Sequence, residues 1–302
     1  MKQNGVYPTL GAMALLLLAG LYAGAAFSAG DSCLSCHEDD AGVKGIMYRA
    51  HGQAADHRMP AGDAMCEACH GQSDAHADKP RANKPARVFS AIGKLTADEK
   101  NAVCTDCHKT GHQKAWPTSE HASADVSCVN CHEVHSTQDR VQKKQKQFTV
   151  CVGCHVEQKV DAGKFSRHPL KEGVVVCTDC HDTHGGKGPS MLKQFTVNET
   201  CYECHTEKRG PFLFEHEPVQ DDCTNCHVPH GSVHDNMLMV RMPQLCQQCH
   251  DDTSHRGYDY AQPVDGRGNP FLESSYIKGK QCLSCHGEIH GSNHASGGAY
   301  FE

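Results

Sequence analysis

The chain has 302 residues, a formal net charge of −7, and an unusual content of 20 cysteines and 24 histidines. The negative charge gives no indication of nucleic-acid binding. Only 38% of the residues are hydrophobic and one is tryptophan, so side chains alone are too few for the apolar cores usual at this length. Another group must therefore contribute buried apolar surface.

The N-terminus has the features of a secretory signal peptide. Lys2 supplies a positive charge, residues 10–27 are apolar, and Ala26-Phe27-Ser28 fits a small-x-small cleavage site. The alternative is an uncleaved membrane anchor, but the apolar run is near the lower length limit for crossing a bilayer. We therefore expect residues 1–28 to be removed and residues 29–302 to be exported to the periplasm.

All 20 cysteines fall in ten Cys-x-x-Cys-His motifs, the signature of covalent haem attachment. Chance placement of the same cysteines and histidines would produce about 0.1 such motifs. Zinc ribbons need no histidine directly after each cysteine pair, and no cysteine remains for a disulfide. The attachment cysteines are Cys33, Cys36, Cys66, Cys69, Cys104, Cys107, Cys128, Cys131, Cys151, Cys154, Cys177, Cys180, Cys201, Cys204, Cys223, Cys226, Cys246, Cys249, Cys282 and Cys285. The motif histidines are His37, His70, His108, His132, His155, His181, His205, His227, His250 and His286.

The spacing within the motif explains its chemistry. Two cysteines three residues apart lie on one side of a helical turn, where both thiols reach the vinyl groups of one haem. The histidine that follows is then the proximal ligand of the iron. The motifs predict ten covalently bound haem c groups. They also predict a multihaem cytochrome c fold: an elongated, haem-packed array of short α-helices and loops with almost no β-sheet.

The motifs pair into five two-haem modules, at residues 31–76, 103–137, 150–185, 200–234 and 245–294. The first cysteines of successive modules from the second onward are 47, 50 and 45 residues apart, a period typical of a repeat array. In the linker before the second module, Thr96-Ala-Asp-Glu99 has the capping-box pattern. This pattern predicts a helix that leads into Cys104.

Fourteen histidines lie outside the motifs, four more than ten irons need as sixth ligands. In the repeat, one such histidine lies between the two motifs and another follows the second motif. The predicted sixth ligands are His51 (or His57), His76, His121, His135, His168, His184, His216, His230, His255 and His290 (or His294). Repeat spacing alone favours His57. No methionine recurs once per module, which favours two histidines on every iron.

Several stretches carry a resemblance that extends beyond the motifs. They are residues 201–211 (CYECHTEKRGP), 223–233 (CTNCHVPHGSV), 243–250 (PQLCQQCH) and 290–294 (HGSNH). Across residues 31–294 the chain resembles the MtrA/DmsE family of periplasmic decahaem cytochromes. The resemblance favours His51, in Arg49-Ala-His-Gly52, over His57.

The same resemblance implies a transmembrane electron conduit. Its expected partners are an outer-membrane β-barrel porin around the cytochrome, a periplasmic or inner-membrane cytochrome as electron donor, and a cell-surface multihaem cytochrome or reductase. The polar lumen of a large barrel suits such a chain.

Two other functions are alternatives to the conduit. A free periplasmic electron shuttle or reservoir would use the same haems without a barrel. An enzyme needs an iron with an open coordination position, whereas sixth ligands are abundant here and no motif has lysine in place of histidine. We therefore expect an electron carrier rather than an enzyme.

Overall fold

The computed structural model of the chain describes residues 29–53, 65–250 and 281–300. The predicted signal peptide, His57 and His255 lie outside the described residues. The α-helices in the described ranges are α1 Ala29–His37, α2 Ala41–Ile46, α3 Met65–His70, α4 Asp74–Asp78, α5 Ala97–Thr105, α6 Glu120–Ser123, α7 Cys128–Cys131, α8 Lys144–Cys151, α9 Val156–Asp161, α10 Cys177–Cys180, α11 Val197–Tyr202, α12 Glu217–Asp221 and α13 Gln244–Gln247. Short 3-10 helices span Ala50–Gly52, Gly111–Thr118, Arg140–Gln142, Pro189–Met191, Thr206–Lys208, Cys223–Asn225, Asp235–Met237, Cys282–Ser284 and Gly297–Ala299.

Within these ranges the chain forms isolated antiparallel bridges and no β-strand. Two of the bridges recur at equivalent places in the repeat, pairing His181 with Leu192 and His227 with Leu238. The predicted fold of short helices and loops without a substantial sheet is confirmed. In the described part of the chain, no helix combines the length and apolarity that crossing a membrane requires.

The attachment motifs fold as single helical turns. In eight of them the histidine N–H donates to the carbonyl of the first cysteine of the same motif, at 2.9–3.1 Å. This i to i−4 bond is that of one α-turn. It brings both cysteines and the histidine to one side of the backbone, as the spacing predicts.

The predicted helix start at Thr96 is confirmed. Helix α5 begins directly after Thr96, whose hydroxyl accepts from the Glu99 N–H at 3.2 Å. The Glu99 carboxylate in turn accepts from the Thr96 N–H at 2.8 Å. This reciprocal pair satisfies two amide groups at the helix start, and α5 runs on into the first cysteine of the second module, Cys104.

Protein side chains by themselves form only a small apolar core. Among the described residues, the buried hydrophobic side chains are Met65, Trp116, Val152, Ala162 and Val176. Larger apolar side chains such as Phe165, Phe195 and Leu213 are more than two-thirds exposed. The small core agrees with the sequence-based expectation that the buried apolar surface comes mainly from a bound group.

The chain divides into two compact units. The first unit comprises Met1–Lys94 together with Val134–Thr137, and the second comprises Leu95–Glu133 and Gln138–Glu302. The short segment Val134–Thr137 belongs to the first unit although it lies far along the chain. It carries His135, one of the predicted sixth ligands.

Candidate haem-binding sites

The first cysteines of the two motifs in each module lie side by side. In all five modules their side chains are hydrogen-bond partners. The pairs are Cys33 with Cys66, Cys104 with Cys128, Cys151 with Cys177, Cys201 with Cys223, and Cys246 with Cys282. Two haems attached there would therefore be close neighbours.

These shared hydrogen bonds perturb the free thiols. The bond to Cys151 lowers the pKa of the Cys177 thiol to about 7, and the same bond raises the pKa of Cys151. Cys128, bonded to Cys104, likewise has its pKa lowered to about 7. Lower-pKa thiols are more often thiolates, the nucleophilic form.

The attachment cysteines of successive modules are also neighbours within the second unit. Burial is the main cause that raises the pKa of Cys131, Cys180 and Cys226, and nearby cysteines of the following module add to it. The neighbours are Cys154 for Cys131, Cys201 and Cys204 for Cys180, and Cys249 for Cys226. The attachment points therefore follow one another in chain order from Cys104 to Cys285.

Eight of the ten motif histidines face a second, non-motif histidine. In the first unit the pairs are His37–His76 and His70–His135. In the second unit they are His121–His155, His132–His184, His168–His205, His181–His230, His216–His250 and His227–His290. In each pair, the non-motif histidine is one of the predicted sixth ligands.

The spacing of these pairs fits an iron between the rings. The ring centres are 5.8–6.3 Å apart. A metal–imidazole bond is about 2.0 Å long and the nitrogen lies about 1 Å from the ring centre, so two imidazoles on opposite sides of one metal have centres about 6 Å apart. The pairs could thus hold iron as two axial ligands, which is the donor set of low-spin haem.

The pairing links each module with its neighbours. His121 lies in the second module but faces His155 of the third, whereas His184 of the third module faces His132 of the second. His168 and His230 repeat this exchange between the third and fourth modules. In these modules, each supplies a second histidine that faces a motif histidine of its neighbour. Spacing along the sequence gave no indication of this exchange.

Backbone carbonyls fix the orientation of seven of the candidate ligand imidazoles. The bonds run from Nδ1 to the carbonyl oxygen of Arg87 for His70 (3.0 Å), Asn83 for His76 (2.9 Å), Thr183 for His121 (3.1 Å), Pro229 for His168 (2.9 Å), Ser190 for His181 (2.9 Å), Asn236 for His227 (2.8 Å) and Ala299 for His286 (2.5 Å). A carbonyl only accepts, so Nδ1 carries the proton and Nε2 keeps the lone pair that a metal needs.

The carbonyl partners also connect neighbouring pairs. Thr183, which holds His121, directly precedes His184, and Pro229, which holds His168, directly precedes His230. One loop therefore supplies a candidate ligand to one iron and orients the candidate ligand of the next. Sequence reasoning could not identify this coupling because the bonded residues are 62 and 61 positions apart.

Burial lowers the pKa of five of the second histidines, which favours their neutral form. It is the main cause that lowers the pKa of His135, His184, His216, His230 and His290, and a facing histidine lowers each pKa further. Neutral imidazole is the form that binds a metal.

A buried amide joins the two motifs in the second and fourth modules, and sequence reasoning missed it. The Asn198 side chain accepts from the Cys223 N–H at 2.7 Å and donates to the Val219 carbonyl at 2.9 Å. Asn101 does the same for Cys128 and Val126, at 2.8 and 3.2 Å. Both asparagines lie three residues before the first cysteine of a module, a recurrence that could have identified them.

The other predicted and surplus histidines lie partly inside and partly outside the described residues. His51 lies in the 3-10 helix Ala50–Gly52, while its competitor His57 and the predicted ligand His255 lie outside the described residues. At the C-terminus, His290 faces a motif histidine, whereas the Nδ1 of its competitor His294 is 3.1 Å from the Ser296 hydroxyl. Among the surplus histidines, His112 is exposed and lies 3.5 Å from the Asp182 carboxylate.

Comparisons with known proteins agree with this arrangement. Residues 168–210 and 216–255 match the doubled CXXCH motif family, and residues 66–154 match the cytochrome c-type protein NrfB-like family. The chain is 43% identical over 267 residues to multihaem cytochrome MtrA of Shewanella baltica, covering 88% of this chain and 79% of that protein. These similarities establish covalent haem c attachment at the paired motifs.

Proposed function

The chain belongs to the MtrA family of multihaem c-type cytochromes, and we propose that it is a ten-haem electron conduit lodged in an outer-membrane β-barrel. It is a multihaem electron carrier; the count of ten haems, the periplasmic location after signal cleavage and the barrel are parts of the proposal. Its partners are the porin, a periplasmic or inner-membrane cytochrome donor, and a cell-surface multihaem cytochrome or reductase.

The observation that carries this proposal is the unbroken succession of attachment points. From Cys104 to Cys285 each haem-binding motif has the next one as its neighbour. Electrons tunnel between closely spaced haems, with the protein setting distance and potential. A single file of neighbours gives one path along the protein, as a conduit requires.

The histidine pairs support electron transfer rather than catalysis. Eight motif histidines already face a second imidazole at a distance that fits six-coordinate iron. His51 (or His57) and His255 complete the proposed set of sixth ligands. An iron with two histidine ligands has no open position for a substrate.

The conduit is tested by isolating the native protein from mildly solubilised membranes. We expect it to co-elute with a barrel protein, and the complex in liposomes to pass electrons from an external reductant to a trapped redox dye. The cytochrome added alone to the same liposomes is the control. Elution without a barrel partner, with all the protein released in the periplasmic fraction, would favour the shuttle instead.

Haem number and ligation have a separate test. Intact-mass measurement is expected to give the mature chain plus ten haem groups, and paramagnetic resonance is expected to give low-spin signals only. A haem present in high-spin form in every molecule would contradict the proposed ligation and would point to an enzyme.

A further inference from the structure

His132 differs from seven other candidate ligands whose ring hydrogen bond is described. Eight candidate ligands have a described Nδ1 hydrogen bond; in seven the partner is a backbone carbonyl, and at His132 it is the carboxylate of Asp139, at 2.6 Å. At His205 a carboxylate oxygen of Glu207 lies 3.9 Å away, beyond hydrogen-bond distance, and both side chains are exposed.

The surroundings of Asp139 preserve its effect on His132. The residue is 3% exposed, and its other oxygen accepts from the Glu133 N–H at 3.3 Å. Arg140 next to it pairs with the Glu133 carboxylate. A buried charge with little water around it acts strongly on its neighbours.

The local backbone does not account for Asp139. It stands at the start of the 3-10 helix Arg140–Gln142, a position where aspartate often caps the helix, yet its side chain makes no capping bond. Both oxygens turn instead to His132 and the residue after it.

We propose that Asp139 makes the haem bound by Cys128, Cys131 and His132 the haem of most negative potential in the second unit. Hydrogen bonding to a carboxylate gives an axial imidazole more anionic character than bonding to a carbonyl does. A more basic ligand stabilises ferric over ferrous iron, so this haem accepts an electron less readily. The inference rests on the proposed ligation of this haem by His132 and His184.

The position of this haem gives the proposal a consequence for electron flow. Cys128 neighbours Cys104, and Cys131 neighbours Cys154. An electron that follows the chain order of these neighbouring motifs passes through the haem of His132. Asp139 thus makes electron transfer onto this haem energetically unfavourable. Electrons on the haems before it and after it in the path are therefore separated by a barrier.

The test is a redox titration of the holoprotein with Asp139→Asn and the matched control Asp182→Asn. Asparagine keeps the acceptor oxygen and removes the charge. Asp182 lies near the same haem but accepts from the His184 backbone N–H at 3.1 Å rather than from a ligand ring. Haem content and low-spin signals are measured first on both variants, so a failure of ligation is recognised separately from a failure of this inference.

We expect one haem at the negative end of the wild-type titration to move to more positive potential in Asp139→Asn. The expected change is about tenfold in the equilibrium constant with its neighbours, or about 59 mV for one electron. Asp182→Asn should shift it less than half as far. An unchanged titration, or equal shifts in the two variants, overturns the proposal.

The wild-type protein provides a second readout in case Asp139→Asn does not mature. The rings of His132 and His184 are nearly parallel, at 8°, whereas those of His121 and His155 cross at 75°. Nearly parallel imidazoles give rhombic low-spin signals, and crossed imidazoles give highly anisotropic ones. During reduction, a rhombic ferric signal should therefore persist to lower potential than the highly anisotropic signal of the His121–His155 haem; the reverse order overturns the proposal.

Discussion

The loop after the second motif of the second module differs from its counterparts in the third and fourth modules. His181 and His227 reach carbonyls nine residues ahead, at Ser190 and Asn236, each in the left-handed region with φ of 51° and 54°. His132 reaches a carboxylate only seven residues ahead. The attachment chemistry is the same in all three places, but the group that orients the imidazole is not. Identical haem motifs can therefore bind haems of different potential.

The largest expected effect comes from removing a second histidine from the loops of the third and fourth modules. His184→Ala and His230→Ala should each convert about one haem in ten to a high-spin form, because each leaves one iron without its sixth ligand. Paramagnetic resonance and binding of carbon monoxide measure the conversion. The control is His234→Ala, four residues after His230. A high-spin haem in that control would contradict the proposed ligand set.

The next effect concerns a glycine in the loops of the third and fourth modules, which the shorter loop of the second module lacks. Gly231 follows His230 with φ of +144°, and a Cβ there would lie 2.1 Å from the Asp161 carbonyl oxygen. Gly231→Ala should lower the free energy of unfolding by about 3 kcal/mol, from the strained backbone conformation and the backbone clash. Denaturant unfolding measures it. Gly298→Ala, which meets nothing within 4 Å, should have little effect; equal losses would contradict the steric explanation.

A smaller loss is expected from removing the buried asparagine that the second and fourth modules share. Asn198 is 7% exposed and joins α11 to the turn at Cys223. Asn198→Ala leaves buried polar groups without partners and should reduce the free energy of unfolding by about 2 kcal/mol. Asn101→Ala should cost a similar amount in the second module. The thermal midpoint of the exposed control Asn225→Ala should move much less, and an equal shift would refute the role of the buried amide.

The smallest effect concerns the ion pair beside Asp139. Arg140 and Glu133 are 58% and 36% exposed, so solvent weakens their attraction. Arg140→Gln should reduce the free energy of unfolding by about 0.5 kcal/mol at low salt and by less at high salt. Thermal unfolding at two ionic strengths checks this. A loss of about 2 kcal/mol, independent of salt, would mean that Arg140 balances the charge of Asp139.

Sequence reasoning reached what depends on neighbours in the chain. A cysteine, a second cysteine three residues on and a histidine next to it share one helical turn, so the attachment sites could be read directly. Thr96 and Glu99 likewise predict a helix start because both partners lie within one turn. The choice of histidine as second ligand followed from its recurrence in the repeat, and eight such histidines face a motif histidine.

Which histidine faces which was decided by tertiary structure alone. His121 meets His155 and is held by Thr183, while His184 meets His132. These contacts depend on how one module folds against the next, and many pairings are compatible with the same spacings. Asp139 belongs to this second class, because an aspartate in a loop gives no sign in the sequence that it will be buried against an imidazole. The sequence by itself determined that the chain binds haem c at its paired motifs and predicted which histidines serve as second ligands; the packing of distant loops decided which histidines face each other and what holds each ring.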